Sequence, residues 1–219
     1  MSIENFKQDL FIQFSRVGKA LSNGNRLEIL DFLAQGERNV DELARIIGIS
    51  VANTSQHLQQ LRQVGLVVSR KEGLKVHYRI SSDDVMILLD ALHNVAERHV
   101  AEVERLVKTY LTVKDDLEPI PRDELIKRIK EGLVVVLDVR PAEEYASGHV
   151  PGAVNVPLNE LELYLQKMDT TQEVVAYCRG PHCILAFDAV AKIREYGLDA
   201  RRMQDGFPEW KVSGLPVEN

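Results

Sequence analysis

Cysteine is almost missing from this chain: there are two in 219 residues, at positions 178 and 183. Two thiols in one short stretch cannot form a disulfide framework, and such sparing use suits a reducing cytoplasm, which is the expected location. Long apolar runs are missing as well. None approaches the roughly 20 residues that cross a bilayer, so no membrane partner is expected. Glu4, Lys7 and Asp9 interrupt the apolar stretch that a secretion signal needs. Internal repeats and low-complexity segments are not visible. What is present is ordinary globular material, 45% hydrophobic and 27% charged, in a length that suits one or two domains.

Positive charge is scarce overall, with a net charge of −6, but it is unevenly placed. Residues 1–114 carry 15 Lys and Arg against 14 Asp and Glu, whereas the rest carries 12 against 19. Between Val51 and Ile80, Arg62, Arg70, Lys71, Lys75 and Arg79 face Glu72 alone. A local basic patch on an acidic chain points to an anionic polymer as partner.

The first third reads as helices. Phe6, Leu10, Phe14, Val17 and Leu21 recur at helical spacing, and Leu27, Leu30 and Leu33 mark a second helix that ends at Gly36. Asn39 with Glu42 three later is a capping-box signal for a helix carrying Val40, Leu43, Ile46 and Ile47. Ser50 caps the next helix, with Val51, Thr54, Leu58 and Leu61 expected to point inward and Gly65 as its stop. Two helices joined by Gly48-Ile49-Ser50 make a helix-turn-helix pattern. The runs Leu66–Arg70 and Lys75–Ile80 then form a hairpin. In the second run Val76, Tyr78 and Ile80 take one face while Lys75, His77 and Arg79 take the other.

This order resembles the winged-helix repressors of the ArsR type over about Phe6–Tyr110, most specifically at Leu21–Leu30 and at Ser55-Gln56-His57-Leu58-Gln59-Gln60-Leu61-Arg62-Gln63-Val64-Gly65-Leu66-Val67. The resemblance implies double-stranded operator DNA as partner. Asn53, Ser55, Gln56, His57 and Gln60 on the recognition helix would read base edges, and Arg70, Lys71, Lys75 and Arg79 on the wing would meet phosphates.

From Ser82 to about Val113 a single long helix is expected. Val85, Leu89, Leu92, Ala96, His99, Val103, Leu106 and Tyr110 alternate spacings of four and three, as a heptad seam does. A homodimer through the first helix and the 82–113 helix is expected from that seam, with intrachain packing of this helix against the first as the alternative or companion use of it. ArsR-type repressors often bind metal through cysteines or through Asp and His on this helix. No cysteine precedes Cys178, and Asp90, His93, His99 and Glu102 lack the spacing of such a site, so no metal and no cofactor are expected.

Thr112–Pro121 is acidic and carries two prolines, and reads as a linker, with 1–113 before it, 114–120 as its core and 121–219 after it. Leu125, Ile126 and Ile129 mark a helix, and Leu133–Val139 an apolar, β-branched strand of the parallel-sheet kind. Asp138 and Arg140 at its end are expected to hold neighbouring loops through ion pairs, for example Arg140 with Glu144. His149 is expected to fix a loop and Trp210 to be core.

The chemistry concentrates in Val174–Ala186. Val174–Tyr177 reads as a buried strand that meets Cys178, then Arg179, Gly180, Pro181, His182 and Cys183. A helix begins at Ile184. Loop amides and a helix N-terminus favour negative charge, so the Cys178 thiolate is expected to be favoured there.

This loop, with Leu137-Asp138-Val139-Arg140, Gly148-His149-Val150-Pro151-Gly152 and the tail Gly206-Phe207-Pro208-Glu209-Trp210, resembles a single rhodanese domain from about Glu118 onward. The resemblance implies that Cys178 takes sulfane sulfur from a donor as a persulfide, cradled by the amides of Arg179 to Cys183. Many members carry Arg at the last loop position, where this chain has Cys183, which argues against thiosulfate turnover. Cys183 is then either a small apolar residue opening the helix or a second thiol able to bridge to Cys178.

The whole is expected to be a two-domain protein, a mainly α winged helix-turn-helix followed by an α/β rhodanese domain with a central parallel sheet. Its expected function is a DNA-binding regulator that senses reactive sulfur. A sulfurtransferase with a DNA-binding domain and a metal-responsive repressor are the alternatives.

Overall fold

A computed structural model describes residues 3–112, 118–168 and 171–219. The chain divides into two compact units, Met1–Val85 and Met86–Asn219. Residues 114–117 of the expected linker lie outside the described residues. Among the described residues no helix is long and apolar enough to cross a membrane.

The first unit runs α1 (Ile3–Leu21), α2 (Gly24–Gln35), β1 (Arg38–Asn39), α3 (Val40–Ile47), α4 (Val51–Gln63), β2 (Val67–Glu72) and β3 (Lys75–Ile80). Local signals set its helix ends. The Asn39–Glu42 capping box is formed in both directions, and Gly48 ends α3 in the left-handed conformation that glycine adopts without strain. The Ser50 side chain accepts from the Asn53 amide at the start of α4. Leu43, Thr54, Leu58 and Leu61 bury against α2, whose Ile29, Leu30 and Leu33 complete the core. Val51, the first residue of α4, and Ile46, in the last turn of α3, stay exposed instead of joining it. The antiparallel sheet has the order β1-β3-β2, with Val67 opposite Ile80 and Glu72 opposite Lys75. Tyr78 and Ile80 bury while Lys75 and Arg79 face water, the alternation the hairpin pattern implies.

Helix α1 has the expected span but not a buried face. Phe6, Phe11 and Phe14 are 56%, 60% and 59% exposed. The single helix expected over 82–113 is interrupted. It forms α5 (Asp83–His99), α6 (Ala101–Val107) and a π-helical turn at Lys108–Thr112. Val100 takes an extended conformation at the break, with no side-chain cap for α6. Neither proline nor glycine stands there, so the sequence pattern gives no warning. The β-branched Val100 is only a weaker helix former. The heptad seam is correspondingly altered. Val85 and Leu89 are buried within the chain, whereas the neighbouring stripe of Ile87, Leu88 and Val95 is exposed.

In the second unit, α7 (Arg122–Lys130) leads to β4 (Val134–Asp138), α8 (Ala142–Ala146), β5 (Val154–Asn155), α9 (Leu161–Leu165), β6 (Glu173–Tyr177), α10 (Ile184–Glu195), β7 (Ala200–Arg202) and α11 (Phe207–Val212). The sheet is parallel throughout, in the order β5-β4-β6-β7. Its central strands are apolar on both faces because both are covered. Val174 and Ala176 pack with Leu161, Val190 and Ile193 on one side, and Val175 and Tyr177 with Leu125, Phe207 and Trp210 on the other. Ile120, the last linker residue, is already part of this unit. It is fully buried, and its amide donates to the Arg202 carbonyl at 2.8 Å.

Candidate functional site

The cysteine loop leaves β6 at the carboxyl end of the parallel sheet, where open α/β sheets hold their ligands. Three buried constructions hold it. Beneath it, Arg140 and Asp138, both fully buried, make a two-nitrogen contact at 2.6–3.1 Å, and Arg140 also donates to the Gly148 carbonyl at 2.8 Å. The Tyr177 hydroxyl donates to Asp138 at 2.6 Å, and burial pushes its pKa up, so it stays a donor. Beside it, Arg179 closes on the buried Glu144 through Nε and Nη2 at 2.8–3.1 Å. Arg140 pairs with Asp138, and the charge of Glu144, the expected partner, also favours its cation. Behind it, the Phe207 amide donates to the Cys178 carbonyl at 3.1 Å. A Cβ on Gly206 would stand 2.3 Å from the Gly180 nitrogen, so only glycine allows the two backbones to touch.

Cys178 is 1% exposed, and its sulfur is bonded to that of Cys183 as a disulfide, with Cα atoms 6.2 Å apart. Cys183 is the N-cap residue of α10 and makes no side-chain cap bond. Pro181 has no N–H, and the Cys183 amide donates to the Gly180 carbonyl at 3.1 Å, so the expected cradle narrows to the other loop amides. Arg179 is engaged by Glu144 and is not a free anion binder.

His182 points out of the loop, and its Nε2 lies 3.5 Å from Glu97 on α5. His93, one turn before Glu97, has its pKa lowered by burial and by the nearness of His182. A cavity of about 500 Å³ opens at this place, all within the second unit, and Asp90, Glu97, Arg122, His182, Asp205 and Glu209 are among its lining residues. Glu209 accepts from the Gly206 amide at 2.9 Å, and burial pushes its carboxyl up to about 7. Burial raises Asp205 as well, against the pull of Arg122 at 3.3 Å. Sequence reasoning missed both acids and Glu97. The tail motif containing Glu209 was visible, but its closeness to the loop was not. His149 holds its loop as expected, stacked on Tyr145 at 3.7 Å with its Nδ1 3.1 Å from the Tyr145 carbonyl. Trp210 is buried and donates to the Pro216 carbonyl at 2.8 Å.

In the first unit the expected DNA-reading residues separate into two groups. Asn53 and Gln56 are exposed on α4, and Ser55 is half-buried. Gln60 instead accepts from Arg26 at 2.8 Å. The His57 Nδ1 is buried without a hydrogen-bond partner among the described residues, and burial followed by the Arg26 charge lowers its pKa. Gln60 and His57 thus face Arg26, whose guanidinium also holds the end of α1 through the Ala20 and Lys19 carbonyls. On the wing, Arg70 is occupied by Glu37 and Glu72 at 2.5–2.9 Å, while Lys71, Lys75 and Arg79 are exposed. Among the described residues no three His, Cys, Asp or Glu side chains gather as a metal site.

These two sites, on a winged helix and on a parallel α/β sheet, define a transcriptional regulator joined to a sulfurtransferase-like fold. The chain belongs to the ArsR family of bacterial regulatory proteins and carries a rhodanese-like domain: family models match residues 23–69 and 121–213 respectively. It is 44% identical to the HTH-type transcriptional regulator Rv0324 of Mycobacterium tuberculosis, over 97% of this chain and 93% of that protein. The transcriptional activator HlyU of Vibrio cholerae is 42% identical over 35% of this chain and 71% of its own. Among solved structures, the homodimeric winged helix-turn-helix DNA-binding domain of Mb0332 from Mycobacterium bovis (fragment 1–100) is 45% identical. It covers 46% of this chain and 91% of that fragment, with a TM-score of 0.42.

Proposed function

We propose that this regulator binds operator DNA through α4 and the wing, and that its rhodanese domain accepts sulfane sulfur on Cys178 and so senses reactive sulfur. The observation that carries the reading is the join between the cysteine loop and α5. His182 stands between the two cysteines, and its side chain meets Glu97 on α5, the helix that leaves the winged-helix unit. A change at the sulfur therefore alters a contact on that helix. A tenfold change in operator affinity needs only about 1.4 kcal/mol of difference between the sulfur states.

The cavity favours a sensor over a thiosulfate-consuming enzyme. Asp90, Glu97, Asp205 and Glu209 line it against Arg122, Arg202 and His182, and Arg122 already serves Asp205. Thiosulfate, a compact dianion with no cation of its own, gains little there.

The DNA-binding form is proposed to be a homodimer. A second copy would cover the aromatic face of α1 and the Ile87–Leu88–Val95 stripe of α5, which are too apolar to remain in water. A protein of this kind works in the cytoplasm, where DNA and low-molecular-weight persulfides meet.

The test compares affinity for the DNA upstream of its own gene, with and without glutathione persulfide, for the native protein and Cys178→Ser. The native protein should change affinity at least several-fold and the variant should not. Equal affinity in all four states removes the sensor. Repeated turnover of thiosulfate would replace it with the enzyme reading.

A further inference from the structure

We propose that Cys183 is the resolving thiol of this site: it attacks the Cys178 persulfide, closes the disulfide and expels the accepted sulfur as sulfide. The inference deepens the proposed sulfur acceptance at Cys178 and rests on it. Three observations point the same way. The two sulfurs are paired, and their Cα separation of 6.2 Å lies within the range a disulfide spans. Cys183 is the N-cap of the twelve-residue α10 and its side chain makes no cap bond, so its sulfur is not tied up in closing the helix. The loop is pinned on both sides, by Glu144 on Arg179 and by Gly206 against Gly180, so the two thiols are held at attack distance and their meeting needs no ordering step.

The chemistry balances without a further oxidant. The Cys178 thiolate first takes the outer sulfur of a persulfide donor, and the donor leaves as its thiolate. The Cys183 thiol loses its proton to solvent, and its sulfur attacks the Cys178 Sγ. The bond between the two cysteine sulfurs forms as the bond from Cys178 Sγ to the outer sulfur breaks, and that sulfur leaves as hydrosulfide. The dithiol is oxidised by two electrons, and the sulfane sulfur is reduced from the zero-valent state to sulfide. The lasting signal is then a disulfide on the loop that carries His182, and it persists after the donor is gone until a dithiol reductant reopens it. A persulfide, by contrast, would be erased by any thiol that accepts its sulfur.

The experiment treats reduced, oxygen-free full-length protein with one equivalent of glutathione persulfide. An alkylating agent then stops the reaction, and intact mass and free sulfide are read. The native protein should lose the mass of two hydrogens, resist alkylation at both cysteines and release one sulfide per chain. Cys183→Ser should gain the mass of one sulfur atom and release none. A native protein that keeps one added sulfur, whether as an alkylatable persulfide or as a bridge containing it, overturns the resolving role while leaving sulfur acceptance intact. A Cys183→Ser protein that carries glutathione or no added sulfur overturns acceptance at Cys178 and this inference with it.

Discussion

The two units build their sites from different material. In the first, the proposed DNA contacts are side chains that project from a helix and a wing into water, with Asn53, Gln56, Lys71 and Lys75 all exposed. In the second, the proposed sulfur site is backbone and sulfur held in place by charges that are out of water, with Arg140 and Asp138 both at 0% exposure. Ion pairs show the same contrast. Arg70 with Glu37 and Glu72 is solvent-exposed and stabilises little, whereas Asp138–Arg140 and Glu144–Arg179 are structural. A site of the first kind is changed residue by residue with the fold intact. A site of the second kind fails together with its support.

The sharpest way to break this comparison is Glu144→Ala. It leaves Arg179 largely buried without its carboxylate, and breaking a buried pair costs about 3–5 kcal/mol. Arg179 is 20% exposed on its side chain, so the lower end is expected. Thermal unfolding should show the second unit melting earlier, and DNA affinity in the absence of donor should hold within about two-fold. An equal loss at both sites would deny their independence.

Glu209 gives the next largest effect. Its folded-state pKa of about 7 lies above the ordinary carboxyl value of 4.5, so the protonated form favours the folded state. That contribution is complete below about pH 4.5 and is lost as pH rises through about 7, an effect of at most about 3 kcal/mol. Melting temperature measured from pH 5 to 8 should fall in the native protein, and Glu209→Gln should flatten that decline. Asp205, raised in the same direction, keeps some slope in the variant.

On the DNA side, Gln56→Ala should lower operator affinity by roughly 1–3 kcal/mol and relax preference at one base position, with the melting temperature unchanged. Gln60→Ala serves as the contrast. It should act through stability, because Gln60 is bound to Arg26. The smallest effect belongs to the wing. Lys71→Ala should reduce the slope of log affinity against log salt by about one. Arg70→Ala should reduce it less, because Glu37 and Glu72 already neutralise that arginine. Binding titrations at several salt concentrations decide between them.

Much of this was legible beforehand where the signal is local. Capping at Asn39 and Ser50, the alternation along Lys75–Ile80 and the apolar run of β6 all appear as written in the chain. The short strands β1, β5 and β7, of two or three residues, escaped notice because so few residues carry no periodicity. The break at Val100 escaped for lack of a breaker residue. Partners distant in sequence escaped as well: Glu144 lies 35 residues from Arg179, and Glu97 is on another helix from the loop it meets.

The amino-acid order alone determined the longer helices of the first unit, the wing hairpin and the central strands β4 and β6, that two domains follow one another, and that the two thiols share one loop, because hydrophobic period, caps and glycine stops act over a few residues. Tertiary structure alone decided which amides and carboxylates face solvent, which arginine takes which acid, and that Cys183 reaches Cys178. Those outcomes depend on desolvation and distance between parts of the chain that meet only after folding.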